Sequence, residues 1–182
     1  AGYDAHGMGD FFGRLQQSGR VYENNAPVYM RTHPLTVERI SDMQNRAQNA
    51  PYRQVPDSLE FQLVRAKLRA QMVTPREAVK EFAAQLREKK YASEAAARYG
   101  LAYSLLRAKD LATAQREVTA LIALKLSSPM IAGLVAEIRL AANEPAAAQA
   151  IYRDALQRYP QSKSLVYGYA ESLLAGAQYE QC

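Results

Sequence analysis

Few residues in this chain could carry chemistry: two histidines, His6 and His33, and one cysteine, Cys182. A lone thiol cannot close an internal disulfide, and neither an HExxH string nor a paired-cysteine spacing is present to hold a metal. His33 stands in the string Thr32-His33-Pro34-Leu35-Thr36-Val37-Glu38-Arg39-Ile40. A neutral imidazole there could ligate a metal or donate to a tetrahedral oxyanion. It could equally cap the helix that begins at Leu35, or pack beside Pro34, which keeps the residue before it extended. Arg39 offers a planar guanidinium fork for acidic groups, or is a solvated helix charge. His6 has no partner in the sequence and reads as a surface position. Cys182 reads as a small buried hydrophobe rather than a catalytic thiol.

The elements that would position these residues are helical. Met8, Phe11, Phe12 and Leu15 recur at helical spacing within Asp4 to Gly19, and Leu35, Ile40, Met43 and Ala47 do so from about Leu35 to Ala50. Arg20 to Thr32 has no clean period and reads as a loop. Pro51 to Asp57, with two prolines and no apolar stripe, is the expected boundary between residues 1–50 and a second region. Beyond it, helices are expected at Ser58 to Met72 and Thr74 to Lys89, the latter opening on a capping box with proline in its first turn.

From there the chain repeats. Ala114, Ala148 and Cys182 lie 34 residues apart, as do Leu101, Val135 and Tyr169, and Ala102, Ala136 and Ala170. The turns Lys109-Asp110, Asn143-Glu144 and Ala177-Gln178 keep the same interval. This period resembles that of tetratricopeptide repeats, helix pairs that must stack to bury their apolar faces. The expected units are 58–92, which is off consensus, then 95–128, 129–162 and 163–182. Ser128 with Pro129, Asp110, Asn143, and Ser162 or Ser164 are the expected helix starts. The chain opens without methionine and stops early in the last pair's second helix, so a longer parent is expected.

Composition excludes several classes. Apolar residues make up 48% of the chain, which is ordinary for a folded protein, and no apolar run is long enough to span a membrane. The net charge of +5 is not clustered: Arg76-Glu77, Lys80-Glu81 and Arg87-Glu88-Lys89-Lys90 alternate as solvated helix faces do, so nucleic acid is not an expected partner.

The string THPLxxxRI from Thr32 to Ile40 resembles one in M48-family zinc metallopeptidases. Ala1-Gly2-Tyr3-Asp4 with Met8, Phe11 and Phe12 is similar to the segment after that family's third zinc-ligating glutamate. The resemblance implies that residues 1–50 are the tail of a periplasmic zinc peptidase domain and that residues 58–182 are repeats serving outer-membrane protein assembly. It implies zinc in the parent, with His33 near the metal as a regulatory ligand or oxyanion donor, and Arg39 paired with acidic groups of the peptidase core. The histidine ligands, the general base and the glutamate would all lie outside this chain, which is expected to have no catalytic residue and no cofactor of its own.

In stacked tetratricopeptide pairs the first helix of each pair lines a groove that receives a peptide or a helix. Projecting the register places Tyr99, Tyr103, Leu106 and Arg107 beside Met130, Glu137 and Leu140, followed by Tyr167, Glu171 and Leu174. Such a groove is aromatic, apolar and somewhat acidic. A single arginine does not make a carboxylate clamp, so a protein or peptide with aromatic or aliphatic anchors fits better. Each tyrosine could equally pack helix against helix. The expected fold is therefore an all-α solenoid of tetratricopeptide hairpins preceded by two helices from a metallopeptidase domain. The expected function is recruitment of outer-membrane proteins or their assembly machinery in the periplasm. The rival is a non-enzymatic adaptor that scaffolds a complex, and an HExxH motif upstream of Ala1 in the natural sequence would separate the two.

Overall fold

The computed structural model describes residues 4–19, 36–50 and 55–177. His33, Pro34, Leu35 and Cys182 lie outside the described residues. The chain divides into two compact units, Ala1–Pro56 and Asp57–Cys182. Among the described residues it is all-α.

In the first unit, α1 (Gly7–Gly19) packs against α2 (Thr36–Ala47). A Cβ on Gly9 would stand in ordinary contact with Cγ of Gln44, at 3.8 Å. Ala47 is buried, Ile40, Met43 and Phe12 are half-buried, and Met8, Phe11 and Leu15 are exposed. The apolar stripe read from the sequence lies on α1, but three of its four residues are exposed.

The second unit is a row of helix pairs: α3 (Leu59–Gln71) with α4 (Pro75–Glu88), α5 (Glu94–Arg107) with α6 (Leu111–Ala123), and α7 (Pro129–Ala141) with α8 (Pro145–Arg158), followed by α9 (Lys163–Ala175). Each new first helix sits on both helices of the pair before it: α5 on α3 and α4, α7 on α5 and α6, α9 on α7 and α8. First helices thus touch first helices, whereas α4, α6 and α8 make no comparable contacts with one another, so the row curves with the first helices inside.

Local signals start and stop these helices. Ser58, Ser93, Asp110 and Ser128 accept from first-turn amides, and Thr74 and Glu77 form the reciprocal capping box. At the other ends the chain turns through left-handed residues, Lys109 at φ 62°, Asn143 at φ 62° and Ala177 at φ 56°. Asp110 N–H donates to Leu105 O and Glu144 N–H to Arg139 O, each at 3.0 Å, and Lys109 and Asn143 donate to Leu106 and Leu140 in the same way. These paired bonds are the Schellman closure, recurring at the interval of the sequence repeat. Asn143 therefore ends α7 rather than capping α8, in contrast to the sequence expectation. Its tolerance of positive φ is what the turn requires, and Glu144 takes the cap position without a side-chain bond.

The stack is fixed by size complementarity between the second helix of one pair and the first helix of the next. Phe82 of α4 lies against Gly100 of α5, and Tyr152 of α8 against Gly168 of α9. A Cβ on Gly100 would meet Cζ of Phe82 at 2.5 Å, and one on Gly168 would meet Oη of Tyr152 at 2.5 Å. At the interface between them, the same two positions hold Val118 and Leu134, both buried: the second helix contributes less and the first helix more. Ala78, Ala114 and Ala148 are fully buried where helices approach. The buried polar side chains are satisfied, as where Ser104 Oγ donates to Gly100 O at 2.6 Å and Gln149 Nε2 to Ser172 O at 2.9 Å.

Gly168→Ala is expected to lower the unfolding free energy by about 1–3 kcal/mol, because the methyl overpacks a buried ring. Gly133→Ala, whose Cβ would lie 3.7 Å from Cδ2 of Leu165, is expected to be neutral or to stabilise by up to ~1 kcal/mol through helix propensity. Urea denaturation of both variants checks this, and equal shifts would show that the ring contact does not hold the stack.

Candidate partner-docking face

The inner face of the curve carries one residue per first helix in each row. The central row runs Lys67 on α3, Tyr103 on α5, Glu137 on α7 and Glu171 on α9, the last three 34 residues apart. A second row is Leu106, Leu140 and Leu174, and a third is Tyr99, Gly133 and Tyr167. All the groove residues expected from the sequence thus lie on first helices of one curved unit, though their exposures differ widely.

Tyr167 and Leu174 on α9 are 70% and 52% exposed, and Glu171 between them is exposed as well. Tyr103, Leu106, Met130, Glu137 and Leu140 are half-buried. Tyr99 is only 2% exposed. It stacks in near-parallel fashion on Tyr103, with ring centroids 6.5 Å apart, and so supports the face from beneath without being able to meet a partner. Here the packing alternative for a tyrosine holds.

Arg107, the cation projected into the groove, is engaged elsewhere. Its Nη1 donates to the carbonyl of Ala70 and, at 3.4 Å, to that of Val73. The guanidinium thus closes the C-terminal end of α3, where the helix dipole favours positive charge. A ligand carboxylate would have to displace these bonds.

Two contributors were not read from the sequence. Lys67 Nζ lies 5.1 Å from the Tyr103 ring centroid, and Gln71 Nε2 donates to Tyr103 Oη at 2.8 Å. Both come from the off-consensus first pair, which precedes the next by 36 residues rather than 34, as the buried Ala66 and Ala102, or Ala78 and Ala114, show. A projection at 34 misses them. Matching the alanine slots in sequence would have found them.

Glu137 is the electrostatic centre of the face. Burial pushes its carboxyl above the usual carboxylate range; Lys67 opposes that rise and Glu171 reinforces it. Burial, followed by the charge of Glu137, likewise raises the phenols of Tyr99 and Tyr152, so both rings stay protonated. Among the described residues, neither Glu137 nor Glu171 forms an ion pair or a side-chain hydrogen bond.

Arg39 lies on the exposed side of α2 with its guanidinium carbon 5.6 Å from the Phe12 ring centroid, a cation–π contact within the first unit. His6 is exposed at the start of α1, with Nδ1 2.9 Å from Asp4 Oδ1. His33 lies outside the described residues. No cluster of three or more histidine, cysteine or acidic side chains suited to a metal occurs among the described residues. The described residues therefore do not build a zinc site. No described helix is long and apolar enough to cross a membrane. Elsewhere on the repeat unit, an apolar cleft of about 460 Å³ lies among α6, α7 and α8, lined by Ile122, Ile131, Val135 and Ile151.

A carboxyl whose pKa is raised by folding binds more protons in the native state than in the unfolded chain, so its contribution to stability falls as pH rises through that window. Glu137→Gln is expected to raise the melting temperature at pH 7, with the gain shrinking as pH falls and the wild-type carboxyl protonates. Thermal melts of both proteins across pH check this, and a lower melting temperature for the variant at neutral pH would show that Glu137 is held by favourable contacts.

Compared with models of protein families, the chain matches none. It is similar to a putative beta-barrel assembly-enhancing protease of Vibrio cholerae, 38% identical over 68 residues that make up 37% of this chain and 14% of the relative. It is also similar to the beta-barrel assembly-enhancing protease of Yersinia pestis, 25% identical over 179 residues. That alignment takes in 98% of this chain but 37% of the relative, so the chain spans little more than a third of that protein's length. The chain, all-helical among its described residues, is a homologue of proteins named beta-barrel assembly-enhancing protease, aligned with one of them over nearly its own whole length.

Proposed function

We propose that this chain is the partner-recruiting part of a periplasmic zinc metallopeptidase, a stack of tetratricopeptide pairs following the tail of the peptidase domain. Its inner face docks outer-membrane proteins or the machinery that assembles them. The names of the relatives support the setting, and the resemblance of Thr32–Ile40 to the metallopeptidase string supports the link to zinc chemistry. Within that reading, residues 1–50 are peptidase tail, 51–57 a linker and 58–182 repeats. His33 adjusts access to the metal of the whole protein, and Arg39 pairs with the peptidase core.

The observation that carries the docking role is the row of side chains on the first helices. Tyr103 and Leu140 rest on the core with part of their surface still open, and Tyr167 and Leu174 on α9 are largely exposed, so the inner face presents aromatic and leucine area to solvent. Aromatic and leucine side chains there supply contact area at little rotamer cost, as anchors at protein interfaces do. By the resemblance, proteolysis belongs to the part of the parent that would carry the HExxH string, which this sequence lacks.

Peptides copied from strands of outer-membrane β-barrels, labelled for fluorescence polarisation, test this. The double variant Tyr167→Ala/Leu174→Ala is expected to bind them roughly 30-fold or more weakly, each anchor contributing about 1–2 kcal/mol, with helicity unchanged because both side chains are exposed. Ile122→Asp, at the cleft among α6, α7 and α8, is expected to leave binding unchanged. Intact binding in the double variant, with loss in the cleft variant, would move the docking site to that cleft.

A further inference from the structure

The charge along the central row is directional. Lys67 stands at one end, Tyr103 separates it from Glu137, and Glu171 follows on the next first helix. The ammonium of Lys67 is held over the Tyr103 ring and makes no ion pair with Glu137. The other nearby cation, Arg107, is bound to the carbonyls that end α3. Glu137 and Glu171 thus lie along the inner side of the curve, and among the described residues neither is in an ion pair; Lys67 only offsets part of the effect of burial on Glu137.

Resting on the reading of this face as a docking surface, we infer that it selects a segment bearing a lysine or arginine flanked by apolar side chains. The cationic head meets Glu137 and Glu171, while the apolar neighbours lie on Tyr167, Leu140 and Leu174. Charge complementarity sets the occupant: an acidic segment would meet two like charges in a half-buried setting, and a wholly apolar one would bury Glu137 further without a partner. A basic residue does the opposite, because it supplies hydrogen-bond donors to carboxylates that lack them and an aliphatic stem that can lie along the leucine row. The raised pKa of Glu137 agrees, since an approaching cation would reverse the effect of burial on that carboxyl. Lys67 fixes direction: it repels a second cation at the α3 end, so the basic position of the segment lies towards α7 and α9.

The test is selection of a phage-displayed random nonapeptide library on the 182-residue chain and, in parallel, on its Glu137→Gln/Glu171→Gln variant, whose fold is checked by circular dichroism. Peptides taken by the wild type are expected to carry lysine or arginine at one position between apolar residues. Replacing that residue by norleucine in the best synthetic peptide is expected to weaken binding about 10-fold for the wild type and about 2-fold or less for the variant. Enriched peptides with no basic position would overturn this inference while leaving the docking face in place. A basic preference that persists in the variant would also overturn it, by showing that the cation is read elsewhere. Failure of the wild type to enrich any peptide would remove the docking face itself, and this inference with it.

Discussion

The fold depends on the rule that no helix pair here can bury its apolar surface by itself. Tyr152 shows how the rule is met. Its ring is buried only because α9 brings Gly168, the one residue type without a side chain, against it. The Phe82–Gly100 contact does the same two repeat pairs earlier, and Val118 with Leu134 exchanges the sizes in between. Each first helix is consequently locked to the second helix behind it, and its opposite side is turned inward along the curve. The position of the candidate docking face follows from where the glycines and rings sit in the core, on the far side of the same helices.

That separation explains why the architecture could be read from the sequence so much more readily than the site. The interval of 34 that joins Ala114 to Ala148 and Lys109 to Asn143 reports packing and turn geometry, both local and both repeated, and the structure buries the first pair completely and turns the chain at the second. The inner face obeys the register too, and Glu137, Glu171, Leu140 and Leu174 stand where projection puts them. Projection gives position on a helix but not depth, however. Tyr99 and Tyr167 occupy equivalent positions, yet one is almost wholly buried and the other mostly exposed, because Tyr99 has neighbouring helices on both sides whereas Tyr167 stands on the last described helix.

Other differences have equally local causes. Arg107 reads as a groove cation until the end of α3 is placed beside it, and its carbonyls prove a better partner than solvent. Lys67 and Gln71 escape a strict 34-residue projection because the first interval is two residues longer. Asn143 was legible as a residue that favours helix ends, but which end depends on whether its side chain or its backbone does the work. A Schellman turn uses the backbone. His33 and Arg39 had meaning through resemblance alone, and Arg39 is seen over Phe12 within its own unit.

Glu137 links the two sides of the argument. A stacked repeat has no structural use for a carboxylate half-buried between Lys67, Glu171 and two protonated tyrosines, and burial works against its charge. Leucine or glutamine at that position would satisfy the packing and the period equally well. Where a residue departs from what local packing favours, the departure points to a site rather than to the scaffold. The leucine row beside Glu137 adds apolar area: Leu106 and Leu140 rest partly on the core, and Leu174 is exposed. A half-buried acid beside exposed apolar area is the combination from which a cationic and apolar segment is inferred. In a repeat architecture shared by many binding proteins, specificity resides in such rows rather than in the fold.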